Sequence, residues 1–272
     1  MTDRLAGLLR HYTLSARVFH SGPLCGQQHY AEAHGYLHVL RHGRLVAHAA
    51  GAPPRAVDTP SLLFYPRPLT HRFVTVGEAP ADLVCAAIEL GSAAGNPLAA
   101  ALPPALHVPL AEIPTVATVL DLLFDEAGGT LCGRQAAIDR LCELLLIGLL
   151  RHLMSADIAD TGLLAGLADA RLAKAITAMH DAPGDAWTLD TLAARAGMSR
   201  ARFAAHFHHV VGLTPGHYLT RWRVNLAGTL IARGQPINVV AGHVGYGSAT
   251  ALSRAFRAHT GHAPSAWRKQ HN

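Results

Sequence analysis

The chain has 272 residues, half of them hydrophobic, and carries 23 Lys and Arg against 18 Asp and Glu, a net charge of +5. That is enough length and apolar content for two separate cores. Four cysteines without a secretory leader argue against a disulfide-stapled scaffold, and MTDRLAGLLRH reads as a cytoplasmic start.

The N-terminal portion alternates short apolar runs with Gly and Pro. Tyr36 to Leu40, Arg44 to Ala47, Ser61 to Tyr65, His71 to Val76 and Leu83 to Leu90 read as strands of an antiparallel barrel or sandwich, expected to end near residue 110. Helical periodicity follows over residues 111–155. Val116, Leu120, Leu123 and Phe124 lie on one stripe, and Leu141, Leu145, Gly148, Leu149 and His152 on another. The segment RQAAIDRLCELLLIGLLRHLM is too charged at its ends and too short in its apolar run to span a bilayer, so no membrane association is expected. Residues 156–168, rich in Ala, Asp and Gly, read as a linker.

From residue 169 to the end the charge changes character: twelve Lys and Arg face four Asp and Glu, whereas the first 168 residues are slightly acidic. A cationic third attached to a near-neutral remainder is the footprint of a phosphate-binding module. Two stretches in it share one spacing, GMSRARFAAHF from Gly197 to Phe207 and YGSATALSRAF from Tyr246 to Phe256. In each, an apolar helix leads to a Gly-containing turn and a Ser positioned to cap a second helix. The first leading helix carries Leu189, Leu192, Ala193 and Ala196, with Ser199 as the cap. The second starts at Pro236 and carries Ile237, Val240, Ala241 and Val244. Phe203, Phe207, Leu252 and Phe256, spaced four apart, belong to the core. Two such units predict two helix-turn-helix readers of duplex DNA.

Over residues 168–270 the chain resembles the AraC/XylS-type bacterial transcription regulators. The resemblance rests on PINVVAGHVGYGSATALSRAFRAHTGHAPSAWR for the second reader and on GLTPGHYLTRWRVNLAGTLI for the helix joining the two. It implies a seven-helix, all-α DNA-binding domain in which a central helix, about Pro215 to Ala232, holds the readers one DNA turn apart. Base reading would fall on Arg200, Arg202 or His206 in the first recognition helix, where Ala201, Ala204 and Ala205 occupy positions that often hold longer polar chains. In the second it would fall on Thr250, Ser253 and Arg254, with Arg254 the leading candidate for guanine. Arg221, Arg223, Arg257, Arg268 and Lys269 read as phosphate contacts or solvated charges.

The N-terminal strands, with TPSLLFYPRPLTHRF, are similar to a cupin-type sensor domain, so the expected fold is α+β: a cupin-like barrel with a helical hairpin, then the helical DNA-binding domain. The branch it resembles carries cysteines matched here by Cys25 in GPLCG and Cys85 in DLVCAAIEL. A metal-dependent cupin enzyme is a distant alternative, because only His71 lies in a plausible cupin motif position, and His34 and His38 are not an H-x-H but lie about 13 Å apart if both are on a strand. No enzyme is expected. Three signals stay open: oxidant acting on Cys25 and Cys85, zinc or another transition metal held by some of Cys25, His29, His34, His38, His71 and Cys85, and a small organic ligand in the barrel. Expected partners are operator DNA, a second copy of the chain through the 111–155 helices, and RNA polymerase.

Overall fold

The computed structural model describes residues 3–31, 33–91, 96–155 and 161–271. In chain order the elements are α1 (Ala6–His11), β1 (Leu14–Leu24), β2 (Gln27–Tyr30), β3 (Gly35–His42), β4 (Leu45–Ala49), β5 (Arg55–Val57), β6 (Ser61–Tyr65), β7 (His71–Thr75), β8 (Ala81–Leu90), α2 (Pro97–Ala101) and β9 (Leu106–Pro109). They continue as α3 (Ala117–Gly128), α4 (Arg134–Ser155), α5 (Leu163–Ala168), α6 (Leu172–Asp181), α7 (Leu189–Ala196), α8 (Arg200–Val211), α9 (Pro215–Ala232), α10 (Ile237–His243), α11 (Ala249–Thr260) and α12 (Pro264–His271). These form two compact units. One contains residues 14–90 and 102–152; the other contains 1–13, 91–101 and 153–272. The first thirteen residues and α2 therefore group with the C-terminal unit although they precede the boundary near 110.

The first unit has two antiparallel sheets, ordered β1-β8-β3-β6-β9 and β2-β7-β4-β5. Strands β3, β6 and β8 are buried along most of their length because both faces are covered, which is why they read as dense apolar runs. Tyr36, Leu40, Leu63, Tyr65, Leu83 and Cys85 point into one core with Tyr30, Leu45 and Phe73 of the second sheet. Leu37, Val39, Leu62, Phe64, Val84 and Ala86, on the alternate face, are buried as well. Helix α4 is pinned to the edge strand β1 at a bulge between Val18 and His20. There the Val18 amide donates to Asp139 at 2.7 Å, and Gln135 donates to the Val18 carbonyl at 2.9 Å.

The stripe expected to mediate dimers is used inside the chain: Leu145, Leu146, Leu149 and Leu150 are buried. Gly148 lies where a Cβ would collide with Val116, so α4 packs closely against the residue that leads into α3. What the stripe leaves exposed on the pair is Leu122, Leu131 and Leu144. Of the expected linker, residues 156–160 lie outside the described residues, and 163–168 form α5 with Leu163, Leu164 and Leu167 buried.

The second unit contains the seven helices α6 to α12 that the resemblance implies, and α9 has the bounds expected of the central helix. Thr214 caps α9 by accepting from the His217 amide at 3.3 Å, and Pro215 occupies its first turn, where a missing N–H costs nothing. Phe203 and Phe207 are fully buried on α8, as are Leu252 and Phe256 on α11, where they join Val224, Leu226 and Ile231 of α9.

Candidate functional site

Both readers stop their leading helix in the same way. At the end of α7 the Met198 amide donates to Ala193 and the Gly197 amide to Ala194, both at 3.0 Å. At the end of α10 the Tyr246 amide donates to Ala241 at 2.8 Å and the Gly245 amide to Gly242 at 3.2 Å. This paired closure puts the following residue in the left-handed region, with φ of +64° at Gly197 and +80° at Gly245. The second turn is one residue longer before its cap, since Gly247 separates Tyr246 from Ser248. Ser248 caps α11 by accepting from the Ala251 amide at 3.1 Å. Ser199 occupies the corresponding place before α8, but its hydroxyl makes no capping bond, and Pro236 is the cap of α10 and not its first helical residue.

The candidate readers separate into free and engaged side chains. Arg202, Thr250, Arg254 and Arg257 are exposed, and among the described residues none of the three arginine guanidinium groups has an ion pair or hydrogen bond. Arg200 is exposed and lies 3.5 Å from Asp190, a surface pair of little strength that a phosphate readily displaces. His206 is not free: its Nε2 sits 2.7 Å from Asp169. Burial pushes the Asp169 carboxyl up, but the Leu172 amide, the His206 ring and the Arg171 amide overcome this and hold it below the ordinary range. His206 thus ties α8 to the start of α6. The Ser253 hydroxyl donates back to the Ala249 carbonyl at 2.8 Å and keeps its acceptor capacity for a ligand.

Two of the expected phosphate arginines are structural. Arg223 donates to the carbonyls of Pro183 at 2.7 Å and Asp185 at 2.6 Å, and Arg268 donates to Gln235 at 2.7 Å. A groove of about 620 Å³ runs along α11 and α12, lined by Thr250, Ser253, Arg254, Arg257, Arg268 and Lys269. Its walls carry positive charge and no carboxylate among the described residues.

In the first unit the fold gathers only part of the expected sensor set. His38 on β3 and His71 on β7 meet inside the barrel with Nε2 to Nε2 at 2.9 Å, and Cys85 lies opposite His38 in the β3–β8 register. The His71 Nδ1–H donates to the Leu69 carbonyl at 2.8 Å, so its Nε2 must accept from the His38 Nε2–H. That leaves His38 Nδ1 as a buried acceptor with no partner. Burial, with His71 alongside, holds His38 well below the ordinary histidine range, and burial takes His71 down to about 4. Tyr30 and Tyr65 both stack on His71, with ring separations of 4.8 and 3.8 Å, and the Tyr30 hydroxyl lies 3.7 Å from Cys85 Sγ. Burial pushes the Cys85 thiol up to about 12, against the opposing effect of Tyr30, so it is protonated and shielded from reaction while the sheet stays closed.

Cys25, His29 and His34 lie elsewhere and are exposed. Leu24 pairs with Ala81, which lies four residues, roughly 13 Å, along β8 from Cys85, and Cys25 is one residue further on. A disulfide needs about 4.4–6.8 Å, so a bridge requires β1 or β2 to move. Among the described residues no three His, Cys, Asp or Glu side chains form a metal-binding group, and the one histidine pair that converges is already hydrogen-bonded to itself. The aromatic residues of this cluster are absent from the sequence reading. Their signal was parity: Tyr36, two residues before His38, must share its face.

Comparison with known proteins agrees with this arrangement. A cupin family matches residues 3–155, and a helix-turn-helix domain family matches residues 192–270. A putative AraC-like transcription regulator of Streptomyces lividans is 38% identical over 69% of this chain and 63% of its own length; one from Streptomyces antibioticus is 39% identical over 62% and 57%. The chain belongs to the AraC-type regulator family. It does so with a cupin as its N-terminal domain, and it spans about six tenths of the length of these two AraC-type relatives. The RCS-specific HTH-type transcriptional activator RclR of Escherichia coli is 28% identical over 77% of this chain and 75% of that protein. Among the described residues no helix is long and apolar enough to cross a membrane.

Proposed function

We propose that this AraC-type chain binds duplex operator DNA through both helix-turn-helix readers and regulates transcription from the cytoplasm, with RNA polymerase as a protein partner. The observation that carries the reading is the pair of equivalent Gly-terminated turns presenting unpaired Arg202 on α8 and Arg254 on α11. Helix α9, 18 residues long, spans about 27 Å between them, close to one DNA turn. Binding of genomic fragments by the full-length protein should weaken steeply with salt. Arg254→Ala should relax preference at one base position, at a cost of about 1–3 kcal/mol, while Lys269→Ala should weaken all sequences alike. Identical effects of the two substitutions on every sequence would remove the base-reading role of Arg254.

The input we propose is an oxidant acting on the cupin unit. Cys25 is exposed and accessible, Cys85 is buried beside Tyr30, and the distance between them makes a bridge a conformational event that opens the sheet. A metal is less favoured, because no three ligands for one converge among the described residues. Hypochlorite titration of the purified protein followed by peptide mapping should show Cys25 oxidised first and a Cys25–Cys85 link after it. Cys25→Ser should abolish the change in DNA binding, and Cys132→Ser should not. An unchanged response in the Cys25→Ser, Cys85→Ser double variant would shift the input to a small organic ligand.

A further inference from the structure

The two recognition helices are copies in register. Both α8 and α11 are 12 residues long, and their leading residues Ser199 and Ser248, like their buried pairs Phe203 and Phe207, Leu252 and Phe256, stand 49 positions apart. The same offset matches their outward faces residue by residue. At about 100° per residue, Ala201 and Ala205 point roughly 140° and 180° from the mean direction of Phe203 and Phe207. They are the residues aimed most directly outward in the N-terminal half of the helix, the half that meets base edges in this motif. Their equivalents in α11 are Thr250 and Arg254, and all four are exposed.

Equivalent in place, the two pairs differ in chemistry. Thr250 and Arg254 carry a hydroxyl and a guanidinium that can bond base edges, whereas Ala201 and Ala205 present two methyl groups that neither donate nor accept. The polar residues nearby are engaged or stand aside. Arg200 lies 3.5 Å from Asp190 of α7, His206 lies 2.7 Å from Asp169, and Arg202 is turned roughly 60° to one side of Ala205. With side chains this short on its leading face, α8 meets the floor of a major groove through carbon. Of the four bases only thymine carries a methyl group there. A guanine, adenine or cytosine in the same place would have its polar edge covered by alanine and left without a partner.

We infer that Ala201 and Ala205 are specificity residues, which make the first reader select thymine in its half-site through the 5-methyl groups. The operator is then asymmetric: a segment fixed by thymine methyls lies about one helical turn from a segment fixed by hydrogen bonds to Arg254. This rests on the reading that the chain holds duplex DNA through both readers, and it states what the first of them selects.

Selection from a randomised duplex pool with the full-length protein supplies the operator, and loss of one base preference in Arg254→Ala marks the segment that belongs to the second reader. In the other segment each thymine is then replaced by deoxyuridine, which removes the methyl group and leaves base pairing and every hydrogen-bonding edge in place. Binding should weaken about fourfold for each contacted thymine, the loss expected for one buried methyl group. Ala205→Arg, at an exposed helical position, should move the preference at one step of that segment from thymine to guanine and abolish the response to uracil there, because it repeats the contact of Arg254. Deoxyuridine without effect, or selection of a base other than thymine throughout that segment, would overturn the inference while DNA binding itself stands. So would thymine still preferred at every step by Ala205→Arg. Failure to select any duplex would remove the proposed function and this inference with it.

Discussion

The two turn glycines have the same backbone need but different surroundings, and this separates strain from crowding. At Gly197, φ is +64° and an added Cβ meets nothing within 4 Å. At Gly245, φ is +80° and the same Cβ would lie 2.8 Å from the Gly184 carbonyl oxygen and 2.8 Å from the Arg223 guanidinium. Gly197→Ala should therefore cost only the left-handed penalty, about 1–2 kcal/mol. Gly245→Ala adds a collision with backbone and displaces the arginine that holds Pro183 and Asp185, so its loss should exceed that of Gly197→Ala by at least about 1 kcal/mol. Chemical denaturation of both variants checks the order; equal losses would show that the Gly184 segment yields freely. Residue-level reading from sequence reached the turn glycines and the four core positions because each follows from local spacing. It did not reach the contact that His206 makes, because nothing local reveals that Asp169, 37 residues away, faces its ring.

Among the elements, β3, β6, β7 and β8 were legible from their apolar runs, and the helices of the C-terminal unit from caps and periodicity. Strand β1 was not. Its second half contains Gly22, at φ +124°, and Pro23, which signal a turn; both are tolerated because β1 is an edge of its sheet. Helix α5 was hidden by its small residues, which allow close packing: a side chain at Gly166 would meet Ile176 and Val211 at under 3 Å. The helical pair was recognised, but its Leu145 stripe faces inward, which leaves Leu122, 53% exposed, and Leu144, 44% exposed, as the apolar surface for the expected second copy of the chain. Leu144→Glu should yield folded monomers in analytical ultracentrifugation. Leu145→Glu should lower stability by several kcal/mol, because it places a carboxylate in a closed apolar layer. A fully stable Leu145→Glu monomer would return the interface to the inner stripe.

On the scale of the whole molecule, both units keep neutral histidines inside, and this couples their folding to protons. His38 and His71 lie in the barrel, and His180 lies in the C-terminal unit, stacked on Trp222 with its Nε2 2.6 Å from the Tyr218 hydroxyl. Burial lowers His71 to about 4 and His180 to about 3, and it lowers His38 in the same direction. A group whose pKa is lower in the folded chain binds fewer protons there than when unfolded. Its stabilisation is complete above the unfolded value near 6.5 and is lost as pH falls below it, down to the folded value. Between pH 7 and pH 5 His71 and His180 should each remove about 2 kcal/mol, one from each unit, before most carboxylates begin to titrate. Denaturation midpoints measured at pH 7, 6 and 5 should fall steadily, and His71→Gln, which carries no titrating ring, should show a shallower fall than the parent. Stability that stays level from pH 7 to pH 5 would mean that these rings are already protonated or solvated in the folded chain, and the donor direction assigned to the His38–His71 bond would fall with it.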